Sequence, residues 1–391
     1  MAPPLEGLRV VELARILAGP WIGQTLADLG ADVIKVEAPE GDDTRRWGPP
    51  FVRGANGEDL DAAYFHACNR GKRSVVADFR TDSGQEVVRR LARESDVLIE
   101  NFKVGGLAKY GLDYASLAKL NPRLVYCSVT GFGQSGPYAH RAGYDFIVQG
   151  MSGIMDLTGE PDREPQKIGV AFADIFTGTY GTIAVMAALA QRERTGLGQH
   201  VDMALLDSMV GVLANQSLNY LVSGNVPHRM GNAHPNIVPY QTFAVRDGHV
   251  IIAVGNDGQF ARLCEFLGIA AAASDPRFAS NAARVANREQ LIASLASLLS
   301  SRDRAGVLAA MEERGIPAGP INTVQDVFAD PQVAFRELRV DLKSAAGVSI
   351  PSVRSPMRFS GADLALERAA PRLGEHTAEV LRELGLPSNS T

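Results

Sequence analysis

The sequence predicts an α/β fold in which a large domain with a mostly parallel sheet is joined to a smaller α+β domain. Short apolar segments of strand length alternate with helical segments through the first 205 residues, a pattern typical of parallel sheets covered on both faces. At residue 223 the composition changes abruptly, and Gly, Asn, Pro and His become frequent. The chain has 391 residues, more than the roughly 250–300 that one hydrophobic core usually serves.

The large domain opens with a strand, a helix and a second strand. Leu8–Ala14 is an apolar strand-length segment, Trp21–Leu29 has helical periodicity, and Asp32–Glu37 is again strand-like. The continuing alternation predicts a Rossmann-like sheet. Further strands are predicted at Ser74–Phe79, Asp96–Asn101, Leu124–Thr130 and Gln199–Leu205, and further helices at Ser83–Glu94, Tyr114–Leu120 and Leu206–Leu221.

The segment that follows residue 240 predicts the smaller domain. Thr242–Val245 and His249–Val254 flank Arg246-Asp-Gly248, which is typical of a β-hairpin. Gly255-Asn256-Asp257-Gly258-Gln259 then forms a polar segment that suits either a plain connection or a mobile lid. Helices are predicted at about Phe260–Leu267, Arg288–Ser300, Ala305–Arg314, Val324–Phe328 and Glu375–Leu384, and strands at Leu338–Leu342 and Val348–Val353.

Bulk composition narrows the classes of partner. Hydrophobic residues make up 46% and charged residues 21%, as in a globular protein, and the net charge of -5 argues against nucleic-acid or anionic-membrane partners. Cys68, Cys127 and Cys264 are widely spaced, which indicates neither a disulfide framework nor a metal site and favours a cytoplasmic location. Without a signal-like N-terminus or an uninterrupted apolar run of about 18 residues, we expect no export and no membrane span.

Asp174 is the one acidic residue in the apolar and small segment Ile168–Gly181. Apolar residues recur three or four apart after it and end at Gly196, which predicts a helix with Asp174 in its first turn. As a helix cap, Asp174 would contribute about 0.5–2 kcal/mol of stability. Alternatively, the helix end keeps the carboxylate ionised in apolar surroundings, as a nucleophile that attacks an acyl group requires. The segment alone leaves both interpretations open.

Basic residues cluster in predicted loops and at strand ends, where open α/β sheets bind ligands. The turn Ala18–Gly23 lacks the Gly-x-Gly-x-x-Gly pattern, so a dinucleotide is not indicated. Several cations could instead hold a polyphosphate such as that of coenzyme A, although each could equally be a solvated surface charge. The cations are Arg45, Arg46, Arg70, Lys72, Arg73, Lys103, Lys109 and Arg141.

An ordered set of short motifs covers nearly the whole chain. They are Arg15-Ile-Leu-Ala-Gly-Pro20, Asp32-Val-Ile-Lys-Val-Glu37, Asn69-Arg-Gly-Lys-Arg-Ser74, Glu100-Asn-Phe102, Gly131-Phe-Gly-Gln-Ser-Gly-Pro137, Gly143-Tyr-Asp145, the Asp174 segment, Thr195-Gly-Leu-Gly-Gln199 and Leu373-Gly-Glu-His-Thr377. With this set the sequence resembles the class III coenzyme A transferases, which include formyl-CoA transferase and carnitine CoA-transferase.

The resemblance implies that Asp174 is the nucleophile that attacks the thioester of a donor acyl-CoA. An aspartyl-CoA thioester would follow, and the acceptor acid would then take the CoA, so no metal or cofactor beyond CoA is implied. By matching position, the CoA-binding residues would be Lys72, Arg73, Asn101, Phe102, Lys109 and Arg141. Gly255–Gln259 would be the loop that shields the intermediate from water, although Asn256 and Asp257 stand where formyl-CoA transferase has glycines.

The resemblance also implies how the domains are arranged. Residues 1–222 would form the N-terminal part of the large domain, 223–240 a linker and 241–325 the small domain, while 326–391 would return to the large domain. Two chains would interlock as rings in a homodimer.

Two rival functions remain. An α-methylacyl-CoA racemase of the same superfamily would use a histidine where this chain has Tyr144, and His140 is out of register. Because tyrosine has an ordinary pKa near ~10, it is a poor base at neutral pH. A non-catalytic CoA-binding protein, with Asp174 only as a cap, is the second rival.

A closer resemblance concerns the substrate. Trp47-Gly-Pro-Pro-Phe51, Ile237-Val-Pro-Tyr-Gln241 and Asn256-Asp-Gly-Gln259 resemble the succinate–hydroxymethylglutarate CoA-transferase subgroup, which implies dicarboxylic acids. Arg15 stands where formyl-CoA transferase has a histidine near its acyl site. We hypothesise that Arg15, or an arginine in Asn225–Met230, pairs with the distal carboxylate, although Arg15 could equally form an internal salt bridge or contact CoA.

Overall fold

The computed structural model describes residues 1–387, which divide into two compact units. The first comprises Met1–Ile154, Lys167–Ser223 and the chain from Pro331 onward, and the second comprises Met155–Gln166 and Gly224–Asp330. The predicted boundaries differ from these, because almost all of the predicted linker 223–240 belongs to the second unit. Residues 155–166 are joined to the rest of the second unit by two contacts. The Gly231 N–H donates to the Gly159 carbonyl at 3.0 Å, and Arg229 pairs with Asp156 at 2.7 Å.

Six parallel strands form the main sheet of the first unit, as the alternating pattern predicted. In chain order they are β1 Arg9–Glu12, β2 Asp32–Glu37, β3 Arg73–Val76, β4 Val97–Glu100, β5 Val125–Thr130 and β6 His200–Ala204. Their spatial order is β3-β2-β1-β4-β5-β6, the order of Rossmann-type sheets. The order reverses between β1 and β4, and such sheets bind ligands beyond the carboxyl ends of the strands at that reversal.

Hydrophobic clusters cover both faces of the sheet. Neighbouring residues of one strand belong to different clusters because their side chains point to opposite faces. Val10 of β1 packs in one hydrophobic cluster with Ile22 and Val185, whereas Val11 packs in another with Leu91. The helices of the first unit are Ala18–Asp28, Ala63–His66, Asp82–Glu94, Tyr114–Leu120, Asp145–Met151, Phe172–Thr195, Leu205–Gly211, Ala214–Ser223, Pro331–Phe335 and Thr377–Glu383, and Ile154–Leu157 spans the unit boundary.

The segment Leu206–Leu221 was predicted as one helix, but the structure has two. The first ends at Gly211, and Ala214, which begins the second, has a φ of +47°. This left-handed conformation interrupts a continuous helix.

The helix Phe172–Thr195 is long and apolar enough to cross a membrane, judged by length and composition alone. One of its faces packs in the hydrophobic core against the helix Ala18–Asp28. A Cβ atom at Gly178 would lie 2.8 Å from the Ala18 carbonyl oxygen, so glycine permits this close approach.

The C-terminal part of the chain packs on the outer edge of the sheet beside β3. A hairpin of Arg339–Lys343 and Ser349–Val353 precedes the last helix, and a second small hairpin pairs Phe51–Arg53 with Asp59–Ala62. The Val76 N–H donates to the Thr377 hydroxyl at 3.1 Å, and this contact ties the last helix to the strand.

The second unit has an antiparallel sheet of Tyr240–Val245, Gly248–Ala253 and Ala318–Pro320, so the predicted hairpin is confirmed. Phe243, Val250, Phe260 and Leu295 are buried in its own hydrophobic core. Its helices are Asp257–Leu267, Asn281–Ala286, Arg288–Leu299, Arg304–Glu313 and Val324–Ala329.

The segment predicted as a glycine loop, Gly255–Gln259, is mostly the start of a helix. Asn256 is the N-cap, and its side chain accepts a hydrogen bond from the Gln259 N–H at 2.9 Å. The Gln259 side chain accepts from the Gly255 N–H at 2.7 Å, and Asp257 pairs with buried Arg284 at 2.7 Å. The loop prediction was therefore wrong for Asp257, Gly258 and Gln259, which are helical, with Asn256 capping the helix through the Gln259 N–H.

Candidate active site

A cavity of about 650 Å³ opens at the carboxyl ends of the sheet strands, where the strand order reverses. The segment after β1 lines it through Arg15, Ile16 and Leu17, and the segment after β4 lines it through Asn101–Val104. All of its lining residues belong to the first unit. The cavity therefore lies where sheets of this type bind ligands.

Asp174 lines this cavity from the first turn of the helix Phe172–Thr195. The predicted place in the first turn is confirmed, but the predicted capping role is not, because the N-cap is Ala171. The Asp145 carboxylate instead meets this helix end and accepts a hydrogen bond from the Ala173 N–H at 2.8 Å. Asp174 is thus left facing the cavity while another acid satisfies the backbone.

Burial, and after it the negative charge of Asp145, together raise the pKa of the Asp174 carboxyl to about 7. The sequence-based expectation was an ionised carboxylate stabilised by the helix end. Burial opposes that ionisation most, and Asp145 opposes it further because it accepts the Ala173 N–H and adds a second negative charge nearby. Ionisation of Asp174 is therefore shifted from the acidic range of an ordinary aspartate toward neutral pH.

Tyr144 and Asp145 lie at the start of the helix Asp145–Met151. Tyr144 is exposed and lines the cavity. Asp145 also accepts from the Gln149 amide at 2.8 Å, and Gln149 in turn accepts from the Ile168 N–H at 2.9 Å. These bonds fasten the segment that leads to Asp174.

Two cations predicted to bind CoA, Lys109 and Arg141, line the cavity. So do Lys103, from the wider set of basic residues, and Arg80, besides Arg15. Lys109 lies over the Tyr110 ring at 4.7 Å, and Arg141 lies over the Tyr138 ring at 3.9 Å. Neither forms an ion pair with any residue between 1 and 387. Their charges are therefore available to a phosphate group, whereas Arg80 pairs with Asp78 at 2.8 Å.

Lys72 and Arg73 do not line the cavity, which corrects their predicted role in CoA binding. The Lys72 ammonium is fully buried, pairs with Glu12 at 2.8 Å and donates to the Pro20 carbonyl at 2.9 Å. Arg73 is buried against Asp32 and Glu383. Both charges are neutralised inside the protein, and neither is left for a CoA phosphate.

A buried ion network holds the segment after β1. Lys35 pairs with Glu12 at 3.1 Å and with Asp42 at 3.0 Å, and it donates to the Ala14 carbonyl at 2.8 Å. Asp42 also accepts from the Ile16 N–H at 3.3 Å. Ile16 has a φ of +71°, a costly conformation for a β-branched residue, so these bonds hold a strained turn in the cavity wall. Asp42 was not among the residues singled out from the sequence.

Asn101 and Phe102 complete the wall from β4, as expected from their motif. The Asn101 side chain accepts from the Arg15 N–H at 2.9 Å and donates to the Arg15 carbonyl at 2.6 Å. The Phe102 ring packs edge-on against Phe79, with ring centroids 5.5 Å apart. The two segments that flank the reversal of strand order are therefore bonded to each other.

Arg15 pairs with Asp43 at 3.0 Å, and both side chains are about half exposed. Within residues 1–387, no three His, Cys, Asp or Glu side chains are grouped so as to hold a metal ion. The cavity wall offers the partly buried Asp174 carboxylate, the cations Lys109 and Arg141, which are unpaired within residues 1–387, and the half-exposed Arg15.

Comparison with known proteins places the chain in a family. Residues 5–377 match the model of CoA-transferase family III. The chain is 61% identical to a succinate–glutarate CoA-transferase of Agrobacterium fabrum over 98% of this chain and 96% of that protein. It is 41% identical to a succinyl-CoA:glutarate CoA-transferase of Mus musculus, over 97% and 86% of the two chains.

The crystal structure of a CAIB/BAIF family protein from Brucella suis is also similar. It superposes with a TM-score of 0.87 at 65% sequence identity, covering 98% of this chain and all of that one. The family resemblance and the α/β fold predicted from sequence are both confirmed. The chain belongs to CoA-transferase family III.

Proposed function

We propose that this CoA-transferase moves CoA from succinyl-CoA, or a similar acyl-CoA, to a free dicarboxylic acid such as glutarate through a covalent intermediate on Asp174. The observation that carries the proposal is the Asp174 carboxyl, which faces a cavity of about 650 Å³ with a pKa raised to about 7. A partly buried, poorly solvated carboxylate whose ionisation is shifted toward neutral pH suits attack on a thioester. The names of the similar transferases support the choice of substrates.

The proposed steps balance without an external acid, base or oxidant. The ionised Asp174 oxygen attacks the thioester carbon, the C–S bond breaks, and CoA leaves as a thiolate. The thiolate then attacks the Asp174 carbonyl of the mixed anhydride, which releases the donor acid and leaves an aspartyl-CoA thioester. The acceptor carboxylate attacks that thioester, and the returning thiolate attacks the acceptor carbonyl, which regenerates Asp174. These steps require no metal and no cofactor beyond CoA.

The cavity wall supplies groups for both ends of the substrates. Lys103, Lys109 and Arg141 would hold CoA phosphates, since they line the cavity and the last two form no ion pair within residues 1–387. Arg15 would pair with the distal carboxylate of the dicarboxylic acid. Its present partner, Asp43, is half exposed, so exchanging that partner for a substrate carboxylate costs little.

We also infer that the protein works as a homodimer in the cytoplasm. Large apolar side chains are exposed on the first unit, among them Leu221 at 72%, Val222 and Phe335 at 83% each. Such side chains on a single protomer favour burial against a second copy. The three cysteines are free and buried, which suits a reducing compartment.

Mass spectrometry of the protein incubated with succinyl-CoA tests the proposal. We expect a covalent adduct on the peptide containing Asp174, cleaved by hydroxylamine because anhydrides and thioesters both react with it. Asp174→Asn should give neither adduct nor transfer to glutarate, while Glu40→Gln, which changes another acid of the cavity wall, should retain both. An unlabelled Asp174 together with undiminished transfer by Asp174→Asn would refute the covalent route.

A further inference from the structure

We propose that Glu100 is a positioning residue for CoA binding: its ionised carboxylate holds the Asn101–Phe102 segment against the cavity, and protonation weakens that hold. The inference rests on the proposed function, since it assumes that the cavity binds CoA. Glu100 itself is buried at the end of β4 and does not line the cavity. It acts through the two residues that follow it.

The contact with the cavity wall is a backbone hydrogen bond. The Phe102 N–H donates to the Glu100 carboxylate at 2.7 Å, which closes a tight turn directly after the strand. This turn presents Asn101 to Arg15, with bonds of 2.9 and 2.6 Å, and sets the Phe102 ring beneath the Arg15 guanidinium at 5.8 Å. A change in the Glu100 bond therefore reaches both wall segments.

A hydrogen-bonded chain leads from Glu100 to the protein surface. Ser128 lies opposite Glu100 on the neighbouring strand β5 and lowers the pKa of Glu100 through its hydroxyl, which is 2.8 Å from His200 Nε2 on β6. The His200 ring is exposed and stacks on Tyr114. If Glu100 is ionised, Ser128 donates to it and His200 Nε2–H donates to Ser128, so every donor in the chain has an acceptor.

Protonation of Glu100 reverses the direction of the hydrogen bonds in this chain. A neutral Glu100 would donate its proton to the Ser128 oxygen, and the Ser128 hydroxyl would then have to donate to His200 in the other tautomer. The Phe102 N–H would lose its charged acceptor and keep only a neutral one, which forms a weaker hydrogen bond. The turn that lines the cavity is therefore looser in the protonated state.

The surroundings of Glu100 set this transition near neutral pH. Burial raises the pKa of the Glu100 carboxyl to about 7, against the opposing effect of the bonds from Ser128 and the Phe102 N–H. On β5, burial and the Glu100 charge raise the pKa values of Tyr126 and Cys127, which stay neutral. On β6, partial burial lowers the pKa of His200 although Asp202 is close. On β1, Glu12 is neutralised by Lys35 and Lys72.

Isothermal titration calorimetry with CoA between pH 5.5 and 8.5 tests the inference through Glu100→Gln. The glutamine has the same shape, can accept from Phe102 and donate to Ser128, and is neutral at every pH. We expect it to bind CoA about three- to tenfold more weakly than the unmodified protein at pH 8, and equally at pH 5.5. The titrations of CoA itself and of Asp174 are common to both proteins and cancel in the comparison.

Ser128→Ala supplies a second readout. It removes a group that stabilises ionised Glu100, so the pKa of Glu100 should rise. As the pH is lowered, the affinity for CoA should therefore begin to fall at a higher pH than in the unmodified protein. Thermal melting checks that both variants are folded.

Equal affinity of Glu100→Gln and the unmodified protein for CoA at every pH would overturn the positioning role. If the unmodified protein failed to bind CoA even at pH 8, the proposed function would fail instead.

Discussion

The Asp145 carboxylate accepts a hydrogen bond from the Ala173 N–H at 2.8 Å, directly before Asp174 in the chain. Asp145, from another helix, therefore satisfies this helix end, and Asp174 of the helix itself faces the cavity. The charge on Asp145 also raises the pKa of Asp174, second only to burial. Asp145 thus fixes where the Asp174 carboxylate lies and opposes its ionisation.

Asp145→Asn should shift the acid limb of the pH–rate profile to lower pH. The asparagine oxygen can still accept from Ala173, but the negative charge is gone, so the pKa of Asp174 falls below about 7. It should not reach the ordinary aspartate value, because burial remains. Measuring kcat/KM from pH 5 to 9 checks this, with Glu40→Gln as a control acid of the same cavity. An acid limb at the same pH in Asp145→Asn would contradict the assigned cause.

Asp174→Asn should melt at a higher temperature than the unmodified protein at pH 8. The folded-state pKa is raised above the ordinary value of 3.8 to about 7, so ionisation of Asp174 disfavours folding. This penalty is absent below about pH 4, grows as the pH rises through 7 and then stays constant, reaching at most about 4 kcal/mol. Thermal melting at pH 4 and pH 8 measures it.

This expectation replaces the loss of about 0.5–2 kcal/mol that a capping role for Asp174 implied. Exposed Asp162→Asn serves as the control and should leave the melting temperature unchanged at both pH values. A lower melting temperature for Asp174→Asn at pH 8 would show that the side chain stabilises the fold after all.

Arg141→Ala and Lys109→Ala should each weaken CoA binding about tenfold, as expected for the loss of a charged hydrogen bond to a phosphate. Both line the cavity and neither pairs with an acid within residues 1–387. The effect should shrink at high salt, because exposed charges are screened. Calorimetric titration with CoA at two salt concentrations measures it. Lys119→Ala, exposed and outside the cavity, is the matched control, and an equal loss there would exclude a specific phosphate contact.

Lys72→Met should destabilise the protein rather than act on CoA. The change leaves Glu12 buried with one cation fewer, and breaking a buried pair costs about 3–5 kcal/mol. Urea denaturation followed by circular dichroism measures the loss. The double variant Glu12→Gln/Lys72→Met should recover part of it, since the stranded charge is gone. If Lys72→Met kept its urea midpoint and lost CoA affinity, the phosphate role predicted from sequence would be restored.

The parallel sheet could be predicted from sequence because each strand is a short apolar segment followed by a helix with its own periodicity. β2 and the helix Tyr114–Leu120 have the predicted bounds. The break near Ala214 could not be predicted, since it depends on one left-handed residue within a continuous helical pattern. The same holds for residues 155–166, which join the second unit through contacts with distant residues.

The position of Asp174 in the first turn of its helix could be predicted, but its electrostatic surroundings could not. Asp174 is conspicuous because it is one acid among apolar residues. The roles of Asp145, Asp42 and Glu100 depend on which backbone N–H each carboxylate reaches, and that is fixed by the fold. Lys72 and Lys109 are both cations near motifs, yet one is fully buried against Glu12 and the other lines the cavity.

Arg15 should determine the preference for dicarboxylic acids. Arg15→Ala removes the cation proposed for the distal carboxylate, so kcat/KM for glutarate should fall about tenfold while that for butyrate, which has no second carboxylate, should change little. Asp43→Asn is the matched variant: it removes the acid that now pairs with Arg15 at 3.0 Å and should lower the KM for glutarate. Steady-state kinetics with succinyl-CoA and each acid measures both effects. If the ratio of kcat/KM for glutarate to kcat/KM for butyrate were unchanged in both variants, the distal carboxylate would bind to a residue other than Arg15.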